Sequence, residues 1–206
     1  MALSSGNLPH AEIDSVARND FNDAMAQLDA AFPVETDNIK DANVTDEKLD
    51  KLNKGRFENA LLHVQDQKAS GSSGGTSAAR TWNIRDLNTV LTNEIPGASL
   101  DSNQITLPAG TYFITASAPC NRVDYHKLKL YNVTDSSDIL IGTADYITSS
   151  YDIVTRSVVT GRFTLAAQKT LELRHYTHGA KVDNGLGIAT GVGVVEVYSD
   201  VMIWMI

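Results

Sequence analysis

His175 and His178 stand three residues apart, with His63 and His126 elsewhere in the chain, and they raise the question of a zinc site. Zinc needs three or four ligands in a fixed geometry. These two follow a strand-like run and fall on opposite faces if the strand continues, so they make a poor pair. The expectation is one packed histidine, one exposed loop histidine and no metal site. Cys120 has Arg122 nearby but no obvious base, so it reads as a buried structural thiol. As the one cysteine of the chain, it excludes an intrachain disulfide. Asp135, Asp138, Asp145 and Asp152 could offer oxygens to calcium, yet they fit no defined calcium loop, and turn or capping roles suit them better. Gly185-Leu186-Gly187 and Gly191-Val192-Gly193 resemble a dinucleotide loop at first sight. They precede a strand pattern, so no helix N-terminus follows to hold a phosphate, and a glycine-rich turn or bulge is expected. Neither a phosphate loop ending in Gly-Lys-Ser/Thr nor a Gly-x-Ser-x-Gly elbow occurs. A glycan-cleaving enzyme would want paired carboxylates in a cleft, and the β region offers no convincing pair. The expectation is therefore a protein that is not an enzyme and needs no cofactor.

Recognition is the chemistry that the residue types do suit. Asp145 to Tyr151 combines two tyrosines with small polar residues, and Tyr176 to Asp183 is a second such stretch. Aromatic faces stack and hydroxyls adapt, so sugar or protein recognition fits them. The candidate receptor-binding residues are Tyr146, Tyr151, Tyr176 and His178. An ordinary exposed loop is the competing reading for each stretch.

These residues must be positioned by strands. Tyr112, Ile114, Ala116 and Ala118 alternate with polar partners, and Leu128 and Leu130 alternate with Lys127 and Lys129. Pro108-Ala109-Gly110 and Asp135 to Asp138 are turn signals. Arg156 to Leu165 and Leu171 to Tyr176 are further strands. Seven or eight short strands separated by turns argue for an antiparallel β-sandwich or jelly roll. The last strand is read as Val192 to Ile206, with Val195, Val197, Val201, Ile203 and Met205 facing the core. Its other face carries Tyr198, Met202, Trp204 and Ile206, and these are the expected trimer-interface residues.

Ahead of the strands, Ile13, Ala17, Phe21, Ala24, Leu28 and Ala31 recur three or four apart up to Pro33, which predicts a short helix. Its stripe is narrow and needs a neighbour: copies of itself, another protein, or its own domain. Ile13, Phe21 and Leu28 are taken as an attachment arm. Residues 36–64 read as either a short stalk or ordered loops. Ser70 to Ser77 has the composition of a flexible linker, although an ordered glycine turn also fits. The expected organisation is a helical arm at 1–62, a Gly/Ser-rich linker at 63–79 and a β-sandwich at 80–206.

Charge separates the same parts. The first 62 residues hold 12 acids and 6 bases, a net −6, and the remaining 144 hold 13 and 11, a net −2, which together make the −8 of the chain. Phosphate neutralisation needs clustered Lys and Arg, so nucleic-acid binding is not expected. No apolar run is long enough to span a bilayer, so no membrane insertion is expected either. Met1 to His10 is polar, so a secretory leader is not expected and synthesis in a cytoplasm is. Asn43-Val44-Thr45 and Asn132-Val133-Thr134 match a glycosylation acceptor and carry no weight without export.

Further stretches share a pattern: His63-Val64-Gln65-Asp66, Lys68-Ala69-Ser70-Gly71, Gly74-Gly75, Arg85-Asp86-Leu87-Asn88-Thr89 and Ile105 to Tyr112. Ala116-Ser117-Ala118-Pro119, Leu130-Tyr131-Asn132-Val133-Thr134 and Gly161-Arg162-Phe163-Thr164-Leu165 continue it. Together they resemble a domain of bacteriophage and prophage tail-fibre and virion structural proteins, over about His63 to Ile206. Asn38 to Thr45 is similar to connectors in phage fibres. Such domains look like the jelly roll of tumour necrosis factor and complement C1q. The resemblance implies a homotrimeric virion protein, assembled in the host cytoplasm. Its arm would attach to other virion proteins and its knob would face a host-surface glycan or protein. A shaft is almost lacking, which raises the alternative of a head fibre or capsid decoration protein with a purely structural role.

Overall fold

The computed structural model describes residues 60–206, together with Asp23 and Ala26, which are helical and exposed. Ile13, Phe21 and Leu28 lie outside the described residues. Among the described residues the strands are β1 Leu61–Lys68, β2 Thr81–Ile84, β3 Thr89–Asn93, β4 Ser99–Asp101, β5 Gln104–Leu107, β6 Gly110–Asn121, β7 Asp124–Asn132, β8 Ser137–Ile147, β9 Val154–Leu165, β10 Lys169–Thr177 and β11 Glu196–Met205.

They form two antiparallel sheets. The first runs β3-β1-β11-β6-β9 and the second β4-β5-β10-β7-β8, with β2 pairing the far half of β10. Setting aside the short β2, β3 and β4, the eight main strands lie in the order 1-8-3-6 and 2-7-4-5. That interleaving of two Greek keys is a jelly roll. Period-two alternation builds the core. Tyr112, Ile114, Ala116 and Ala118 of β6 point inward, as do Leu128 and Leu130 of β7, and all are buried. Leu62 and Val64 of β1, Leu171 and Leu173 of β10, and Val201 and Ile203 of β11 complete the same cluster.

Two expected boundaries are corrected. Residues 63–79 are not a linker between an arm and the sandwich. Strand β1 occupies Leu61–Lys68, pairs along β11, and lies inside the first sheet between β3 and β11. The Gly/Ser run beyond it is ordered because its backbone groups are paired. Gly74 N donates to Gly187 O at 2.9 Å, Gly75 N to Asp183 O at 3.0 Å and Ser77 N to Lys181 O at 3.0 Å. The last strand begins at Glu196, not Val192. Gly191 and Gly193 both take positive φ, and Val192, Val194 and Val195 are exposed on the loop they shape.

Candidate functional site

The outward face of the second sheet carries cross-strand rows of aromatic and charged side chains. In β10, Leu171, Leu173 and His175 point inward, so Arg174 and Tyr176 point outward. In β7, Leu128 and Leu130 point inward, so Tyr125, Lys127 and Lys129 point outward. Register then aligns them. Trp82 pairs Tyr176, Tyr176 pairs Lys127, and Lys127 pairs Ala144, giving one row across four strands. Tyr125 pairs Tyr146 and receives a backbone bond from His178 N at 2.9 Å, giving the next row. Residues directly opposite on one face touch.

The contacts follow. Trp82 meets Tyr176 edge-on with ring centres 5.7 Å apart. Tyr125 lies 5.2 Å from Tyr146 and 5.7 Å from His178 by the same measure. Lys129 Nζ sits 4.1 Å over the Trp82 ring and 2.6 Å from an oxygen of Asp138, which holds the indole in place. Ala144 is small, and the space it leaves opens a pocket of about 270 Å³ lined by Trp82, Tyr125, His126, Lys127, Ala144, Asp145 and Tyr176. The pocket thus has apolar aromatic walls with one ammonium, the composition of a recognition site.

The structure brings together three of the four candidate receptor residues, Tyr146, Tyr176 and His178. Tyr151 is different. It lies on the loop between β8 and β9 at 70% exposure and makes no aromatic contact. Sequence reasoning did not include Trp82, Tyr125 or Lys127. The outward phase of Lys127 and Lys129 was the signal that would have placed Tyr125 on the same face.

The outward face of the first sheet holds the other candidates. Leu61, Trp204, Phe113 and Arg162 form one cross-strand row, and His63, Met202, Thr115 and Thr160 the next. Trp204 and Phe113 have ring centres 6.2 Å apart. Met202 and Trp204 therefore point outward as expected, and Ile206 is exposed at the chain end. Tyr198 does not belong with them. Between Gln65 and Gln67 the pairing slips, so that three steps on β11 oppose two on β1. The bulge reverses the phase, turning Tyr198 inward and Val197 outward. The Tyr198 hydroxyl donates to Ser72 O at 2.7 Å.

Behind the pocket, inside the sandwich, Cys120, His126 and His175 converge. His175 is the packed histidine of the pair, and its neighbours are His126 and Cys120. His175 Nε2 lies 3.0 Å from His126 Nδ1 and 3.4 Å from Cys120 Sγ, with His175 Nδ1 3.5 Å from the same sulfur. Burial holds both imidazoles below their usual pKa, His175 far below, and pushes the thiol up to about 12. Arg85, itself fully buried, donates to Ser199 Oγ at 3.0 Å, Pro119 O at 3.2 Å and Leu186 O at 2.9 Å.

No known family model and no characterised protein matches the chain in sequence. Among solved structures it is similar to murine APRIL at pH 5.0, with 8% identity and a TM-score of 0.47 over 72% of this chain and 100% of that one. It is also similar to the globular domain of zebrafish complement 1qA, with 14% identity and a TM-score of 0.45 over 72% of this chain and 98% of that one. Murine APRIL at pH 8.0 gives a TM-score of 0.46 at 8% identity over the same 72% of this chain. The jelly-roll assignment rests on the strand order of the chain itself.

Proposed function

We propose that this chain is a non-catalytic, homotrimeric binding module of a virion, a short fibre or spike whose sandwich grips a host-surface glycan. The observation that carries the binding reading is the pocket framed by Trp82, Tyr125 and Tyr176. Apolar ring faces of a sugar stack on such walls, while Lys127 serves its hydroxyls. The pocket lining includes no pair of acidic residues, which favours holding over cleaving. Assembly is supported by the first sheet, whose outward Phe113, Met202 and Trp204 give an apolar surface for neighbouring copies. The virion setting, and attachment to other virion proteins through the arm that includes Ile13, Phe21 and Leu28, rest on the sequence resemblance.

The full chain, applied to a glycan array and as competitor in host adsorption, tests the reading. Binding that is lost on Tyr125→Ala, together with blocked adsorption, is the expected result. If nothing is bound and adsorption is unaffected at saturating protein, receptor binding is refuted, and a head fibre or capsid decoration role remains.

A further inference from the structure

We propose that Cys120, His126 and His175 form a binding site for one monovalent copper ion. Three strands, β6, β7 and β10, each contribute one donor, and all three residues are buried with their ligand atoms within 4.8 Å of one another. His175 Nε2 is the shared vertex, 3.0 Å from His126 Nδ1 and 3.4 Å from Cys120 Sγ. With metal–sulfur near 2.3 Å and metal–nitrogen near 2.0–2.1 Å, neighbouring donors in tetrahedral to trigonal sites lie about 3.3–3.8 Å apart. These two separations stand within about half an ångström of that spacing, and the Cys120 and His126 ligand atoms lie within 4.8 Å of each other. The remaining nitrogen of His126 lies 2.8 Å from Thr155 Oγ1, the outer partner that orients a ligating imidazole. The two imidazoles sit on paired strands, with His175 opposite Leu128 and His126 opposite Thr177, and Cys120 meets them from β6 of the facing sheet, so the arrangement is held by strands rather than by a loop.

Charge selects the ion. Arg85 donates to the carbonyl of Pro119, next to Cys120, and its three hydrogen-bond acceptors include no carboxylate. A divalent ion that displaces the thiol proton would add a positive charge beside this buried guanidinium, which is costly in a low-dielectric interior. A monovalent ion leaves the charge unchanged: the Cys120 S–H bond breaks, a sulfur–copper bond forms, and the proton leaves to solvent with no electron transferred. A soft thiolate with two imidazoles suits copper(I), and three donors complete a trigonal site.

The test is anaerobic titration of the full chain with copper(I) against a chromogenic copper(I) chelator. One ion per chain is expected, with affinity reduced about a hundredfold or more by Cys120→Ala and about tenfold by Thr155→Val. X-ray absorption of the loaded wild-type chain, which needs no variant, should report one sulfur and two nitrogen neighbours. Failure to hold copper against the chelator, retention unchanged in Cys120→Ala, or a spectrum without sulfur would overturn the site. Retention of zinc in preference to copper would overturn the choice of ion.

Discussion

Gly74→Ala offers a direct test of whether the Gly/Ser run is structure or tether. The φ of Gly74 is not in the left-handed region, so alanine meets a contact problem and no backbone one. Its Cβ would stand 2.5 Å from Leu186 O and 2.8 Å from the Tyr198 ring. Neither neighbour can yield freely. Leu186 O accepts from Arg85, and Leu186 N donates to Gly75 O at 3.0 Å. The Tyr198 ring is buried and tied by its hydroxyl to Ser72 O. Relief therefore means giving up two or three hydrogen bonds at about 1 kcal/mol each, or accepting about 1–3 kcal/mol of overpacking. Against this stands about 0.4–1 kcal/mol gained from a stiffer unfolded chain. The net expectation is a loss of about 1–2.5 kcal/mol, which for a domain of this size lowers Tm by about 2–10 °C. Urea denaturation followed by the fluorescence of Trp82 and Trp204 measures it, at one fixed protein concentration because assembly would shift the midpoint. Ser72→Ala, on the exposed side of the same run, should stay within about 0.5 kcal/mol of wild type. A Gly74→Ala chain as stable as wild type, or more so, would refute the packed-run reasoning, since a free tether gains from alanine.

Three further outcomes are expected. Trp204→Asp places a charge in the apolar row of the first sheet and should give monomers by light scattering with an unchanged circular dichroism spectrum; trimers would count against that face as the interface. Tyr125→Ala removes the wall shared with Tyr146 and His178 and should weaken glycan binding by about tenfold or more, with little change in Tm, read by calorimetry. Glu196 accepts bonds from Gly71 N, Thr190 N, Thr190 Oγ1 and Gly191 N, and these hold its pKa down to about 2 from an ordinary 4.5. A carboxylate depressed in the folded state stabilises fully above its unfolded pKa and loses that contribution as pH falls toward the folded one. The Tm gap between wild type and Glu196→Gln should therefore be widest near neutrality and close between about pH 4.5 and 2; a gap constant with pH would contradict the clamp.

What was legible in the sequence was whatever repeats within one strand. Alternation placed Tyr112, Ile114, Leu128 and Leu130 inside and Lys127 and Lys129 outside, and the structure agrees. A slip in pairing leaves no such trace. Tyr198 keeps its phase with Met202 and Trp204 in the sequence, and only the extra residue opposite β1 turns it inward. The Gly/Ser run is a related case, because composition cannot say whether backbone groups find partners more than a hundred residues away at Asp183 and Gly187.

Chemistry that depends on register between strands lies further still from what a linear reading can reach. His126 and His175 are 49 residues apart, and Cys120 and His175 are 55 apart. They meet because β7 and β10 are neighbours and β6 faces them across the core, which the spacing of His175 and His178 could never reveal. The same strand serves both sides of the sheet. In β7, Tyr125 and Lys127 turn to the pocket while His126 between them turns inward, so one period-two alternation supplies the aromatic wall and a donor of the buried cluster. A one-residue shift of β7 would exchange the two sets, burying Tyr125 and Lys127 and emptying the cluster of His126. The pairing of β7 with β10 from Asn132 through His126 is unbroken, whereas its pairing with β8 slips twice. It is therefore β10, which also carries Tyr176 and His175, that sets the phase on which the pocket and the buried cluster both depend.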